Sequence, residues 1–321
     1  MLIDILFVCF SLFLLIWGTN KFVHGATSLA HNLRIPTVII GSTIVSLATS
    51  APEIQVSITA ALKNASNLAI GNAIGSNIAN IGLVLGSIAI IKPMNLKSAL
   101  PKNLMPIFLF VSFMTILLFY DGTLSQIEGI LLMIGLIIVL IRSVKIDLRS
   151  KDGTDETIIN TDSVEKNTTL LPATMMLIIG LLLLIFGAEL IVTYASKIAR
   201  SIGVSETIIG ITLVAIGTSL PELSVSIISV LKGQIGLAIG NIIGSNIYNI
   251  LAVIGIAGVS TKTPIELDPN MFKIHLMIML CYTSAIYLLR NRSNGEIGRI
   301  EGLILVSTFI TYISYITTQN V

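Results

Sequence analysis

Residues Gly41 to Gly86 read GSTIVSLATSAPEIQVSITAALKNASNLAIGNAIGSNIANIGLVLG, and residues Gly210 to Gly255 read GITLVAIGTSLPELSVSIISVLKGQIGLAIGNIIGSNIYNILAVIG. The two stretches align without a gap at a shift of 169 residues. About half of the aligned positions are identical, and both copies are strongly apolar. Each carries one carboxylate, Glu53 or Glu222, in a segment otherwise fit to cross a bilayer. An acid inside a membrane span is costly and marks function by default. Two equivalent acids on two related segments broken by Gly and Pro point to a cation site at a repeat interface, the organisation of a secondary transporter.

The rest of the chain fits that frame. Of its 321 residues, 54% are hydrophobic and 11% charged, with a mean hydropathy of +0.94. Soluble domains carry roughly 25% charged residues, so this is an integral membrane protein with no soluble part larger than a loop. A net charge of +2 makes no case for nucleic acid as a partner. Cys9 and Cys281 lie far apart in apolar runs and read as buried free thiols, not a disulfide or a metal site. The N-terminus, MLIDILFVCF, has no basic region and carries Asp4, so it reads as a retained first helix and not a cleaved signal peptide.

A yardstick of about 20 apolar residues per span gives ten helices, an all-α membrane protein. The spans are Leu2–Ala30, Thr37–Leu62, Leu68–Ile91, Leu104–Tyr120 and Ser125–Ser143, then Leu171–Arg200, Ser205–Leu231, Ile235–Val259, Met271–Leu289 and Arg299–Thr317. The polar stretch Lys145–Thr169 reads as a flexible linker loop. The chain thus divides into a first five-helix repeat at 1–144, a linker at 145–169 and a second five-helix repeat at 170–321. An odd number of helices per repeat inserts the second copy from the opposite side, giving two inverted repeats about an axis in the membrane plane. With the N-terminus outside, thirteen Lys and Arg fall in cytoplasmic loops and five in outer loops, Lys21 inside the first helix left uncounted. The positive-inside bias therefore places both termini outside the plasma (inner) membrane and the linker in the cytoplasm.

Two motifs carry the chemistry. The first is Ser46-Leu47-Ala48-Thr49-Ser50-Ala51-Pro52-Glu53, repeated as Ala215-Ile216-Gly217-Thr218-Ser219-Leu220-Pro221-Glu222. A helical proline removes an amide donor and clashes with the carbonyl four residues earlier. Carbonyls at Thr49 and Thr218, or their neighbours, are then left for another partner, which lipid cannot supply and a cation can. Thr and Ser hydroxyls add neutral oxygens and Glu adds charge. The set suits hard cations such as Ca2+ or Na+. The second motif is Gly71-Asn72-Ala73-Ile74-Gly75-Ser76-Asn77-Ile78-Ala79-Asn80, repeated as Gly240 to Asn249. Its glycines permit close helix approach. Ser76 and Asn80, and likewise Ser245 and Asn249, stand four apart on one helix face.

Each residue has a blander reading. Asn72 and Asn241 serve equally well as helix–helix glue, and a Gly-rich run usually packs. What shifts the balance is their joint recurrence at the same relative positions in both halves. Glu189 aligns with Asn20, has no mirror acid, and reads as a structural partner for Lys21 or a helix end. His24, His31 and His275 share no spacing. The linker acids, among them Asp152, Asp155, Glu156, Asp162 and Glu165, lack an EF-hand pattern. No nucleophile–base set is present, so the chain does not read as an enzyme.

At ATSAPE (Ala48–Glu53), GTSLPE (Gly217–Glu222), GNAIGSNIAN and GNIIGSNIYN the chain resembles the sodium/calcium exchanger family of the cation/calcium antiporter superfamily, in its prokaryotic type with two α-repeats. The resemblance covers nearly the whole chain. It implies one calcium site and about three sodium sites between the second, third, seventh and eighth helices. By position, Glu53 and Glu222 would bind Ca2+ with the carbonyls of Thr49 and Thr218. Sodium would use Ser50, Ser219, Ser76, Ser245 and the carbonyls of Ser46 and Ala215, with Asn80 and Asn249 as central polar partners. Helices one and six would slide across a fixed core. Ala48 and Ala51 depart from the family's usual Gly and Leu, which implies altered packing or kinetics. Asn249, where potassium-coupled relatives carry Asp, weakens the case for K+.

These readings combine in an antiporter exchanging about three Na+ for one Ca2+ by alternating access. Ca2+ and Na+ are its transported ions, without an organic cofactor, and one monomer in a lipid bilayer is the functional unit. A Ca2+/H+ antiporter is the nearest alternative, since carboxylates trade Ca2+ for protons. A passive cation channel is a third, disfavoured because ring-like filters come from oligomeric symmetry.

Overall fold

The computed structural model describes residues 1–63, 65–101, 103–149, 169–204, 209, 215–261, 263–267 and 271–319. Two 32-residue helices, α1 (Leu2–Leu33) and α10 (Leu170–Ser201), occupy equivalent places in the two copies. After α1 the chain forms one interrupted rod: α2 (Thr37–Ile40), a π-helical turn (Gly41–Val45), α3 (Ser46–Thr49) and, past Ser50, α4 (Ala51–Leu62). The rod bends by 42° at Ser50. Next come α5 (Ser66–Ala79), a π-helical segment (Asn80–Leu85) and α6 (Gly86–Ile91), continuous as a span. Short α7 (Leu96–Ala99) leads to α8 (Leu104–Leu118) and α9 (Gln126–Arg149). In the second copy, α11 (Ala215–Thr218) and α12 (Leu220–Leu231) flank Ser219. The next span is α13 (Ile235–Tyr248), a π-helical segment (Asn249–Ile254) and α14 (Gly255–Val259). A π-helical turn (Met271–Leu276) leads into α15 (Met277–Asn291), and α16 (Arg299–Gln319) follows.

Among the described residues, six helices are by themselves long and apolar enough to cross a bilayer, and the bent rod Thr37–Leu62 makes a seventh. The spans of the second motif are central. In their most apolar 18-residue windows, 89% of the Ile235–Val259 positions and 72% of the Asn67–Ile91 positions are buried. The corresponding shares are 11–28% for α1, α9, α10 and α16. Small and polar residues on the central pair let neighbours close in from all sides. The outer helices turn Leu, Ile and Phe side chains, such as Phe13, Ile137 and Leu182, to the lipid.

The two copies clasp one another. β1 (Met94–Asn95) pairs antiparallel with β4 (Glu296–Ile297), and β2 (Thr123–Leu124) with β3 (Ile265–Glu266). Each pair thus joins one copy to the other. Helix α1 lies along α10, its most extensive partner, around a cluster containing Leu15, Phe22, Ala26, Leu177 and Leu184. That contact depends on Gly180, where a side chain would run into the backbone of Phe22.

Several sequence expectations need adjustment. The fifth helix runs to Arg149, five residues into the stretch read as linker. Residues 150–168 lie outside the described part, as do Lys102, Lys262 and the opening of the seventh span. Cys9 and Cys281 are unpaired as expected, but they are exposed, not buried. Both sit on outward faces of α1 and α15, where a thiol is apolar enough to face lipid. Glu189 is likewise exposed, while Lys21 lies 5.8 Å over the ring of Trp17. His275 Nδ1 lies 2.8 Å from the Tyr312 hydroxyl, a helix–helix contact.

Replacing Gly180 by Val forces α10 off α1. Overpacking of this kind costs about 1–3 kcal/mol, and the expected result is a lowered thermal midpoint of the purified protein, followed by tryptophan fluorescence of Trp17.

Candidate cation site

Both carboxylates are built by the same local rule. Ser50 (φ −80°, ψ 6°) and Ser219 (φ −88°, ψ 1°) leave helical geometry, and a new helix starts at the next residue. Pro52 and Pro221 fall at the second position of these helices, where a missing amide hydrogen is harmless. They remove the donors that would have served the carbonyls of Ala48 and Gly217, one residue ahead of the expected threonines. Glu53 and Glu222 follow in the first turn of α4 and α12, at the positive end of the helix dipole, which favours a negative side chain.

The breaks face each other through α5 and α13. Glu53 and Glu222 are each 1% exposed. Ser76 on α5 donates to Glu53 Oε1 at 3.3 Å, and Ser50, from the other copy, donates to Glu222 Oε1 at 3.4 Å. The second oxygen of each carboxylate has no hydrogen-bond partner. Nearby orphans are also mostly oxygens: Asn80 Oδ1, Asn249 Oδ1 and Ser219 Oγ are buried and unpartnered. Buried polar atoms are seldom left unpaired. Unpaired buried oxygens, two of them carboxylate, are of the kind a desolvated hard cation takes up.

Not every expected ligand stands free. The Ser46 carbonyl already accepts from the Ser50 amide at 3.0 Å and the Thr49 hydroxyl at 3.3 Å. The Thr49 hydroxyl also donates to Asn241 Oδ1 at 3.0 Å and lies 3.4 Å from the Ser245 hydroxyl. Its side chain therefore links α3 to α13. Ala215 and Thr218 bound α11, one turn before Glu222. Ala48 packs its methyl into the α1–α10 cluster, which accounts for alanine at that departure from the family pattern.

Asn241, left open between glue and function, is glue in this arrangement: it accepts from Thr49 and donates to Ser226 at 3.4 Å. Its mirror, Asn72, is only half-buried and its Nδ2 is unpartnered. Sequence reasoning missed Asn77 and Asn246. Asn77 donates to the Asn246 carbonyl at 3.2 Å and accepts from Asn249 Nδ2 at 3.1 Å, which turns Asn249 Oδ1 away from it. Their identity in both copies of the second motif was the available signal. The π-helical segments opening at Asn80 and Asn249 were also missed. Each inserts one residue per turn and loosens the carbonyls around it, a feature frequent at functional sites.

A protein-family model described as sodium/calcium exchanger protein matches residues 3–145 and 172–318. The chain is 41% identical over 314 residues to CaxA of Alkalimonas amylolytica, a candidate antiporter, covering 97% of this chain and 98% of the relative. It is 35% identical over 305 residues to the inner membrane protein YrbG of Escherichia coli K12, covering 94% and 93%. The solved structure of the sodium/calcium exchanger from Methanococcus jannaschii superposes with a TM-score of 0.83 at 33% identity, over 98% of this chain and 99% of that one. Structures of an exchanger soaked with Na+ and Ca2+ match at a TM-score of 0.81.

Thr49→Val leaves Asn241 Oδ1 without its donor. Hydrogen bonds between membrane helices contribute about 0.5–2 kcal/mol, so the expected outcome is a loss of that size in unfolding free energy, read by denaturant titration in micelles.

Proposed function

The chain belongs to the sodium/calcium exchanger family, and on that premise we propose that it exchanges Na+ for Ca2+ by alternating access, with about three Na+ moving against one Ca2+. The observation that carries this reading is the pair Glu53 and Glu222. Each comes from a different copy, each is buried, and each keeps one oxygen without a hydrogen-bond partner beside the free amide oxygens of Asn80 and Asn249.

Charge balance gives the exchange its logic. Two ionised carboxylates at bilayer depth are too costly to cross empty. One Ca2+ neutralises them, or two Na+, with a third Na+ among neutral oxygens. Three Na+ for one Ca2+ moves one net charge per cycle, so about 100 mV adds roughly 2.3 kcal/mol to the driving force. Glu53 and Glu222, with the carbonyls of Thr49 and Thr218, hold Ca2+. Ser50, Ser219, Ser76, Ser245 and the Ala215 carbonyl serve Na+, and the doubly engaged Ser46 carbonyl contributes once its local bonds loosen. The scaffold for this is ten spans in two inverted five-helix repeats. The fourth, seventh and ninth spans correspond to α8, to α11–α12 with the residues before them, and to Met271–Asn291. The loop charges orient both termini to the outside of the plasma (inner) membrane. A monomer contains both halves of the site and is the transport unit.

Two carboxylates could also trade Ca2+ for protons, but protons need none of the surrounding hydroxyl and amide oxygens, and that surplus favours Na+. Reconstituted vesicles loaded with Na+ and diluted into Na+-free medium should take up 45Ca, and Glu53→Gln or Glu222→Gln should reduce that uptake at least a hundredfold while the protein stays folded. Uptake driven by a pH gradient with Na+ absent on both sides would overturn sodium coupling, and activity retained in either glutamine variant would remove the site.

A further inference from the structure

The two copies are identical at the four asparagines of the second motif's C-terminal half, yet they are bonded differently. Asn249 Nδ2 donates to Asn77 Oδ1 at 3.1 Å. The shift of 169 residues turns this bond into Asn80 Nδ2 donating to Asn246 Oδ1. That mirror bond is not formed, and both of its atoms, Asn80 Nδ2 and Asn246 Oδ1, are buried without any partner. The orphaned donor and the orphaned acceptor are thus the two halves of one missing hydrogen bond.

The orientations of Asn246 and Asn77 are fixed by other contacts. Asn246 Nδ2 donates to the Ile242 carbonyl at 2.7 Å, so its free atom is the acceptor oxygen. Asn77 Nδ2 donates to the Asn246 carbonyl at 3.2 Å and lies 3.5 Å from the Met279 sulfur, so its oxygen is the atom offered to Asn249. A cation cannot satisfy Asn80 Nδ2, because an N–H is a donor. Only an acceptor can, and leaving both groups unpaired carries the desolvation cost of each.

The same asymmetry extends outward. Asn241 is buried and bonded to Thr49 and Ser226, whereas Asn72 is half-buried with a free Nδ2. A side chain at Gly244 would strike Ser42 and Ser46, whereas one at Gly75 would meet nothing within 4 Å. The structure is closed on the Asn241 side and open on the Asn72 side. Two equivalent repeats that can adopt this arrangement can also adopt its mirror, with the roles of the copies exchanged.

We propose that Asn77 and Asn246 form an alternating latch. Asn77 holds Asn249 in the state observed, Asn246 holds Asn80 in the oppositely facing state, and one bond is given up as the other forms. Each latch is a positioning contact: it occupies the amide nitrogen of the liganding asparagine and leaves the oxygen for the ion. The latch rests on the exchange reading above for its role in transport, though not for its geometry.

The test uses full-length protein with Cys9→Ser, Cys281→Ser and Gly75→Cys, purified in lipid nanodiscs, with the labelling rate of the new thiol reporting the observed state. Na+ is set where this parent reacts at half its maximal rate, so that a shift in either direction is visible. Loss of one hydrogen bond shifts a two-state balance by about two- to tenfold. Asn77→Ala should slow labelling by that factor, and Asn246→Ala should leave it unchanged or faster. The double variant, lacking both latches, should return to within about twofold of the parent. Asn246→Ala removes only an intrahelical bond in the observed state, so it remains informative if Asn77→Ala folds poorly. Slowing by both single variants, no effect of Asn77→Ala, or a double variant slower than Asn77→Ala would overturn the latch. A parent whose rate ignores Na+ counts against sodium exchange alone, and the latch is then read from the same variants at one fixed salt concentration.

Discussion

A carboxylate held away from water needs a compensating partner, and the breaks at Ser50 and Ser219 bring one such acid from each copy into the buried interior. Neither can be placed on an unbroken span, because an intact helix spends its amides and carbonyls on itself. Breaking two helices at Ser50 and Ser219 puts each acid at a fresh N-terminus and leaves carbonyls behind it, so favourable dipole, acid and neutral ligands arise from one backbone event. The breaks in turn need neighbours that approach closely. The small residues of α5 and α13 supply them, and of the six single-helix candidate spans among the described residues those of the second motif have the largest buried shares.

A second packing unit lies outside this core. Helices α1 and α10 lie against one another and share a small cluster of their own, separate from the large cluster around α5, α13, α8 and α15. The contact between α1 and α10 is long and largely apolar, and small residues line it: Gly18 and Gly25 on one helix, Gly180 and Gly187 on the other.

Much of this was legible in the sequence because membranes make patterns simple. The span read as Ile235–Val259 has the observed limits, and Thr37–Leu62 breaks at the residue before the predicted Ala-Pro-Glu turn. Hydropathy and proline act locally, so residue order alone reports them. Three features were not legible. The π-helical segments at Asn80 and Asn249 depend on the neighbours each span meets. Asn77 recurs as Asn246, but so do the other asparagines of the motif, and what sets it apart is the Asn246 carbonyl and Asn249 amide lying opposite it. The outward placement of Cys9 and Cys281 turns on helix rotation; the run around Cys9 is apolar on nearly every side and gives no rotational clue, while Cys281 is followed by Tyr282 and Thr283, which face inward in its place.

Duplication explains why a symmetrical sequence produces an asymmetrical site. A transporter with both halves in the same conformation would open its ions to both sides or to neither. An exchanger therefore needs its copies to differ at any instant and to trade places. Sequence identity at the pivotal residues keeps the two conformations close in energy, and the ions then supply the bias, each shifting the balance only by its differential affinity for the two states. The four asparagines are where that condition is visible atom by atom. Asn249 is held while Asn80 is not, and the unpaired atoms around Asn80 and Asn246 raise the energy of the observed state by roughly what forming their bond would recover. The cost of asymmetry is thus stored in the two central spans, among the buried unpaired atoms of Asn80 and Asn246.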